Sequence, residues 1–177
     1  SGTAYGSSDQ VLTSNGDAAP TWGSSIVSGT SQATTSGTTK DFTGIPSWVK
    51  RITIMLNGVS TNGSSIPQIQ IGSGSVLASG YTGYSWTGNT NNAAHSTGFL
   101  LGGVHGAAYL LYGHAVLTNI SGNIWVFSTS SGSTGGNTGN VGGGANTTLS
   151  GVLDRIRLTT VNGTDAFDAG SVNILYE

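Results

Sequence analysis

The chain has 177 residues, a formal net charge of −2 and no cysteine. Its few cations, Lys40, Lys50, Arg51, Arg155 and Arg157, form no basic stripe able to neutralise a run of phosphates, and a chain without thiols has neither a disulfide framework nor a thiolate metal site. Only 7% of the residues are charged, against about 25% in an average soluble domain, so solubility must come from hydroxyls and amides; with no stretch near the roughly 20 apolar residues of a spanning helix, we expect a soluble chain that neither inserts in a membrane nor binds nucleic acid.

Residues 1–35 are rich in Ser, Thr and Gly, with large apolar side chains only at Tyr5, Val11, Leu12, Trp22, Ile26 and Val27. They read as a leader or stem, and residues 36–177 as one domain. Strand signals then follow in order. Residues 49–57 (VKRITIMLN) put Ile52, Ile54 and Leu56 on one face and Arg51, Thr53 and Asn57 on the other. Residues 68–71 alternate Gln and Ile, and residues 154–161 set Ile156 and Leu158 against Arg155 and Arg157. Between them, residues 107–120 and 124–127 are apolar on both faces, which predicts strands covered twice, the second cover being a neighbouring subunit.

Asn57-Gly58, Asn62-Gly63, Gly122-Asn123 and Asn162-Gly163 punctuate these runs with residues that tolerate positive φ. No helical period survives. Residues 81–97 and 128–150, the latter almost wholly Gly, Ser, Thr and Asn, read as two long loops. The expected fold is all-β, an antiparallel β-sandwich or jelly roll. Lacking disulfides, such a chain would gain robustness from burial between subunits.

Few residues suggest catalysis. The nearest approach to a nucleophile elbow, Gly83-Tyr84-Ser85-Trp86-Thr87, lacks the closing glycine. A glycosidase needs two facing carboxylates, yet Asp154 adjoins Arg155, and Asp165 and Asp168 fit the organisation of a turn. His105 and His114 flank a strand without metal-ligand spacing, so we expect no metal and no cofactor. The run Gly142-Gly143-Gly144 lacks the lysine and helix of a phosphate cradle and reads as a loop or a tight β-contact. The N-x-S/T sequons at Asn62, Asn119, Asn146 and Asn162 are what chance gives in a chain this rich in Asn, Ser and Thr.

What remains is the segment holding Tyr81, Tyr84, Trp86, Asn89, Asn91, Asn92 and His95. Aromatic faces stack on the C–H surfaces of sugars, and amides fix orientation, so these seven are the candidate contacts of a glycan-binding loop. The competing reading has the aromatics anchoring the loop to the core.

Residues 8–16 (SDQVLTSNG), ending at Ala19-Pro20-Thr21-Trp22, resemble a short stem motif of bacteriophage tail fibres. Residues 41–46 (DFTGIP) leading into 49–53 (VKRIT), and residues 167–177 (FDAGSVNILYE), resemble the C-terminal domain that follows such stems. The resemblance implies a virion protein: the distal tip of a tail fibre, a homotrimer of β-sandwich or jelly-roll subunits acting outside the host cell on a bacterial surface polysaccharide or lipopolysaccharide. It implies receptor binding, not an enzyme. A purely structural trimerising cap and a polysaccharide depolymerase are the alternatives. Residues 81–144 lie outside the matching motifs, so no contact residue is carried over from the family.

Overall fold

The structure, a computed structural model, describes residue 6 and residues 10–88, 91–107, 109–135 and 138–177. Every regular element among them is a strand. In chain order these are β1 (Gln10–Asn15), β2 (Ala18–Ser24), β3 (Val27–Ser28), β4 (Gln32–Ala33), β5 (Lys40–Thr43), β6 (Arg51–Thr61), β7 (Pro67–Ser73) and β8 (Ser75–Val76). There follow β9 (Thr82–Thr87), β10 (Asn91–Ala94), β11 (Phe99–Leu100), β12 (Leu110–Ser121), β13 (Ile124–Thr134), β14 (Thr138–Thr148), β15 (Arg155–Thr160) and β16 (Phe167–Tyr176). The pairings are antiparallel throughout.

The larger sheet runs β10-β9-β14-β13-β12-β6-β16-β3, with β4 also on β16; the smaller runs β11-β7-β15-β5, with β8 on β7. Their apolar faces share one core, an arrangement consistent with a β-sandwich. The larger sheet contributes Ile52, Ile54, Leu56, Ala115, Leu117, Trp125, Phe127, Val172 and Ile174, and the smaller Ile69, Ile71, Ile156 and Leu158, all buried. The alternation read in residues 49–57 and 154–161 thus becomes the inward face of β6 and β15. Arg157 is the cross-strand partner of Asp41, and its guanidinium donates to both carboxylate oxygens at 2.7 and 2.8 Å, pinning edge strand β5 to β15.

The two expected long loops are mostly strand. Residues 81–97 contain β9 and β10, and residues 128–150 contain the end of β13 and all of β14. Glycine and asparagine have low β-propensity, but that preference yields to close packing where two backbones need room. At Gly142 an added Cβ would lie 2.2 Å from the Ser85 Oγ of β9, so the glycine lets β14 lie between β13 and β9. Of the two readings of the 142–144 run, Gly142 is a tight β-contact.

Strands β1 and β2 form a hairpin that pairs with no other strand among the described residues. Residues 27–33, read as part of the leader, hold β3 and β4, which join the larger sheet along β16. The segment expected to be covered on both faces packs one face of β12 and β13 on the core. The other face carries Tyr112, His114, Thr118, Ser128 and Ser130 exposed, with Val116 and Val126 half-buried.

Candidate functional site

β9 has an inverted pattern for a strand in a sandwich. Its hydroxyl residues, Ser85 and Thr87, are buried at 0% and 1% exposure, while Tyr84 and Trp86 stand out at 54% and 41%. Because side chains alternate along a strand, a slip of one residue would reverse this. The polar contacts beneath fix the register. Thr87 Oγ1 donates to Asn140 Oδ1 at 2.5 Å and accepts the N–H groups of Gly103 and Val104 at 2.9 and 3.1 Å. Ser85 fills the space left by Gly142, and its Oγ donates to the Leu100 carbonyl at 2.8 Å.

The outward aromatics, two residues apart on one face, have ring centroids 6.5 Å apart at 36°. Asn92 on β10 is the cross-strand partner of Trp86, and Ala94 that of Tyr84. Tyr84, Trp86 and the exposed Asn92 thus make a platform at one end of the larger sheet, two π faces beside an amide. Such a surface can stack on the C–H face of a ring and hydrogen-bond its hydroxyls.

Other candidates lie elsewhere. Tyr81 is buried at 3% exposure, edge-on to Phe99 at 4.7 Å; its hydroxyl accepts the Ile71 N–H at 2.9 Å and donates to the Leu77 carbonyl at 2.9 Å. Burial pushes its pKa up to about 12, against the pull of the Ile71 backbone bond. It anchors the segment and has no ring face for a ligand. Asn89 and the Asn91 side chain lie outside the described residues; the Asn91 backbone pairs with Thr87.

His95 is also buried, at 5% exposure, with Nε2 2.7 Å from Ser85 Oγ. The serine has one proton, and it goes to the Leu100 carbonyl. His95 therefore donates Nε2–H to the serine, its buried Nδ1 has no hydrogen-bond partner, and its ring stands edge-on to Phe99 and Phe127. This is the reverse of a base activating a nucleophile. Burial pushes the imidazole pKa down to about 4, so the ring is neutral near pH 7.

Three carboxylates are similarly engaged. Asp154 accepts from Arg155 at 2.8 Å, and Asp41 holds Arg157. Asp165 accepts the Asn162 amide at 2.7 Å and the Ser65 N–H at 2.9 Å, bonds that hold it below the usual carboxylate range. That is the turn-organising role read from sequence. His105 is buried with neither ring nitrogen bonded, whereas His114 is exposed on the outer face of β12. Among the described residues no three His, Asp or Glu side chains gather where they could hold a metal.

Sequence reasoning missed Tyr112, 42% exposed on the outer face of β12. The signal was the two-residue spacing of Tyr112, His114, Val116 and Thr118, masked by Leu110, Leu111 and Leu117 among them. No family model, no curated protein and no solved structure matches the chain.

Proposed function

We propose that the chain is the receptor-binding tip of a bacteriophage tail fibre, which attaches the virion to a bacterial cell-surface polysaccharide or lipopolysaccharide by non-covalent binding. The observation that carries this reading is the orientation of β9, which turns Tyr84 and Trp86 to solvent and its hydroxyls inward. Leaving a large side chain exposed forgoes about 1.5–3 kcal/mol of burial, a sacrifice that a ligand surface explains. The engaged carboxylates and the sealed Ser85–His95 pair favour binding over hydrolysis.

In this reading each subunit is a jelly-roll type of sandwich in a homotrimer, and several shallow copies of the platform give strong attachment by avidity. The β1–β2 hairpin supports assembly. A lone two-stranded hairpin is marginal in water, and this one exposes Val11 at 42% and Leu12 at 57%. Light scattering on the purified chain should give about three times 17.7 kDa, and the double change Val11→Asp with Leu12→Asp should shift the mass toward one chain. A wild-type monomer would sink the trimer.

The same hairpin favours a second reading, a structural trimerising cap without a receptor. Adsorption separates the two. Labelled chain should bind cells within a panel of bacterial strains and compete with phage for them, and Tyr84→Ala with Trp86→Ala should reduce that binding at least about tenfold, a loss of about 1.4 kcal/mol. Both positions are exposed, so the melting temperature should hardly move. Unchanged adsorption would discard this platform; release of reducing ends from the bound polysaccharide would indicate a depolymerase.

A further inference from the structure

Tyr84 and Trp86 form one side of a larger surface that the strand register defines. Trp86 pairs with Val141, Val141 with Ser130, Ser130 with His114 and His114 with Met55, so one cross-strand row runs from β9 over β14 and β13 to β12 and β6. In the next row Tyr112 pairs with Gly132, and Gly132 with Gly139. Directly paired residues share a face. The exposed outward positions of β13 are thus Ser128, Ser130 and Gly132, while β9 on one side presents Tyr84 and Trp86 and β12 on the other presents Tyr112 and His114.

Side-chain size turns this pattern into relief. Ser128, Ser130 and Gly132 leave a low strip on β13, walled toward β9 by Tyr84 and Trp86 beyond Val141 of β14, and toward β6 by His114 and by Tyr112, whose ring lies over Gly58. From β9 to β12 there are three strand spacings, about 14 Å, wide enough for one extended chain lying along the strands. The strip and both walls contain no Asp, Glu, Lys or Arg. An acidic polysaccharide would find no counter-charge there, whereas an uncharged one meets hydroxyls below and ring faces at the sides.

Resting on the glycan-binding reading, we propose that Tyr112 and His114 form the second wall of the site opened by Tyr84 and Trp86. The ligand is a linear, uncharged polysaccharide seated along β13 over Ser128, Ser130 and Gly132. Recognition then needs several consecutive sugars, with contacts on both walls.

The test uses the full chain on an array of bacterial surface glycans printed as neutral polymers, acidic polymers and single sugars. The expected result is binding to neutral polymers, none to single sugars, with Tyr112→Ala weakening it about tenfold or more and Ser130→Leu, which fills the strip, doing at least as much. Circular dichroism establishes that each variant is folded. If neutral polymers bind and Trp86→Ala abolishes binding while Tyr112→Ala and Ser130→Leu do not, the second wall is overturned and the platform stands. Binding confined to acidic polymers or satisfied by single sugars also overturns the proposal. No binding to any glycan at saturating chain overturns the glycan reading with it. If Ser130→Leu instead lowers the molar mass in light scattering, the strip is an interface between copies of the chain and the proposal falls.

Discussion

Replacing Phe99 by alanine is expected to destabilise the protein by about 3–5 kcal/mol, the range for truncating a buried phenylalanine. Phe99 is fully buried on β11, whose partner is β7 of the smaller sheet, yet its ring stacks on Phe127 of the larger sheet at 4.8 Å and 2°. It also meets Tyr81 edge-on at 4.7 Å and His95 at 6.2 Å. One ring therefore ties the two sheets together and backs the segment that carries the platform. Its loss leaves a cavity among aromatic rings that cannot easily close, because Tyr81 is held by backbone bonds to Ile71 and Leu77. Against a typical total stability of 5–15 kcal/mol, the change should be plain in urea denaturation as a lower midpoint at unchanged slope. Phe99→Leu, which keeps much of the volume, should cost clearly less. A Phe99→Ala loss below about 1 kcal/mol would mean that the two sheets are not joined through this ring.

The strands that could be read in sequence were those whose pattern and burial agree. β6 and β15 alternate apolar with polar residues, and the apolar set faces the core. β9 also alternates, Tyr84 and Trp86 against Ser85 and Thr87, but periodicity gives parity and not side. The usual preference would turn the rings inward. Which set points in is decided by residues far away in sequence: Gly142 leaves space for Ser85, Asn140 binds Thr87, and His95 binds Ser85. β14 was hidden for the same reason, since its glycines lack strand propensity and one of them, Gly142, serves as clearance between neighbours. Of the seven candidate contacts, Tyr81 and His95 belong to that hidden support. A polar residue in an Asn-rich stretch suggests a surface, and nothing local signals that His95 has a serine waiting inside the core.

That buried histidine should make stability depend on pH. Its pKa is pushed down to about 4 by burial in the folded chain, against about 6.5 when unfolded. Between those values the unfolded chain binds a proton that the folded chain refuses, so stability falls as pH drops through 6.5 toward 4 and, for this group, levels off below. His105 acts in the same direction: burial lowers its pKa, and the Asp165 and Asp168 carboxylates partly oppose that shift. Urea midpoints at pH 7, 5.5 and 4.5 should therefore decline, with His95 contributing about 2 kcal/mol over the window. His95→Gln keeps an N–H donor for Ser85 Oγ but cannot be protonated, so it should flatten much of the decline while leaving the two outward rings of β9 in register. An equally steep decline in His95→Gln would mean that other groups set the acid sensitivity. A flat profile in the wild-type chain would mean that His95 reaches solvent. In the first case the Ser85–His95 bond would still fix β9; in the second the tight seal beneath Tyr84 and Trp86 would have to be abandoned.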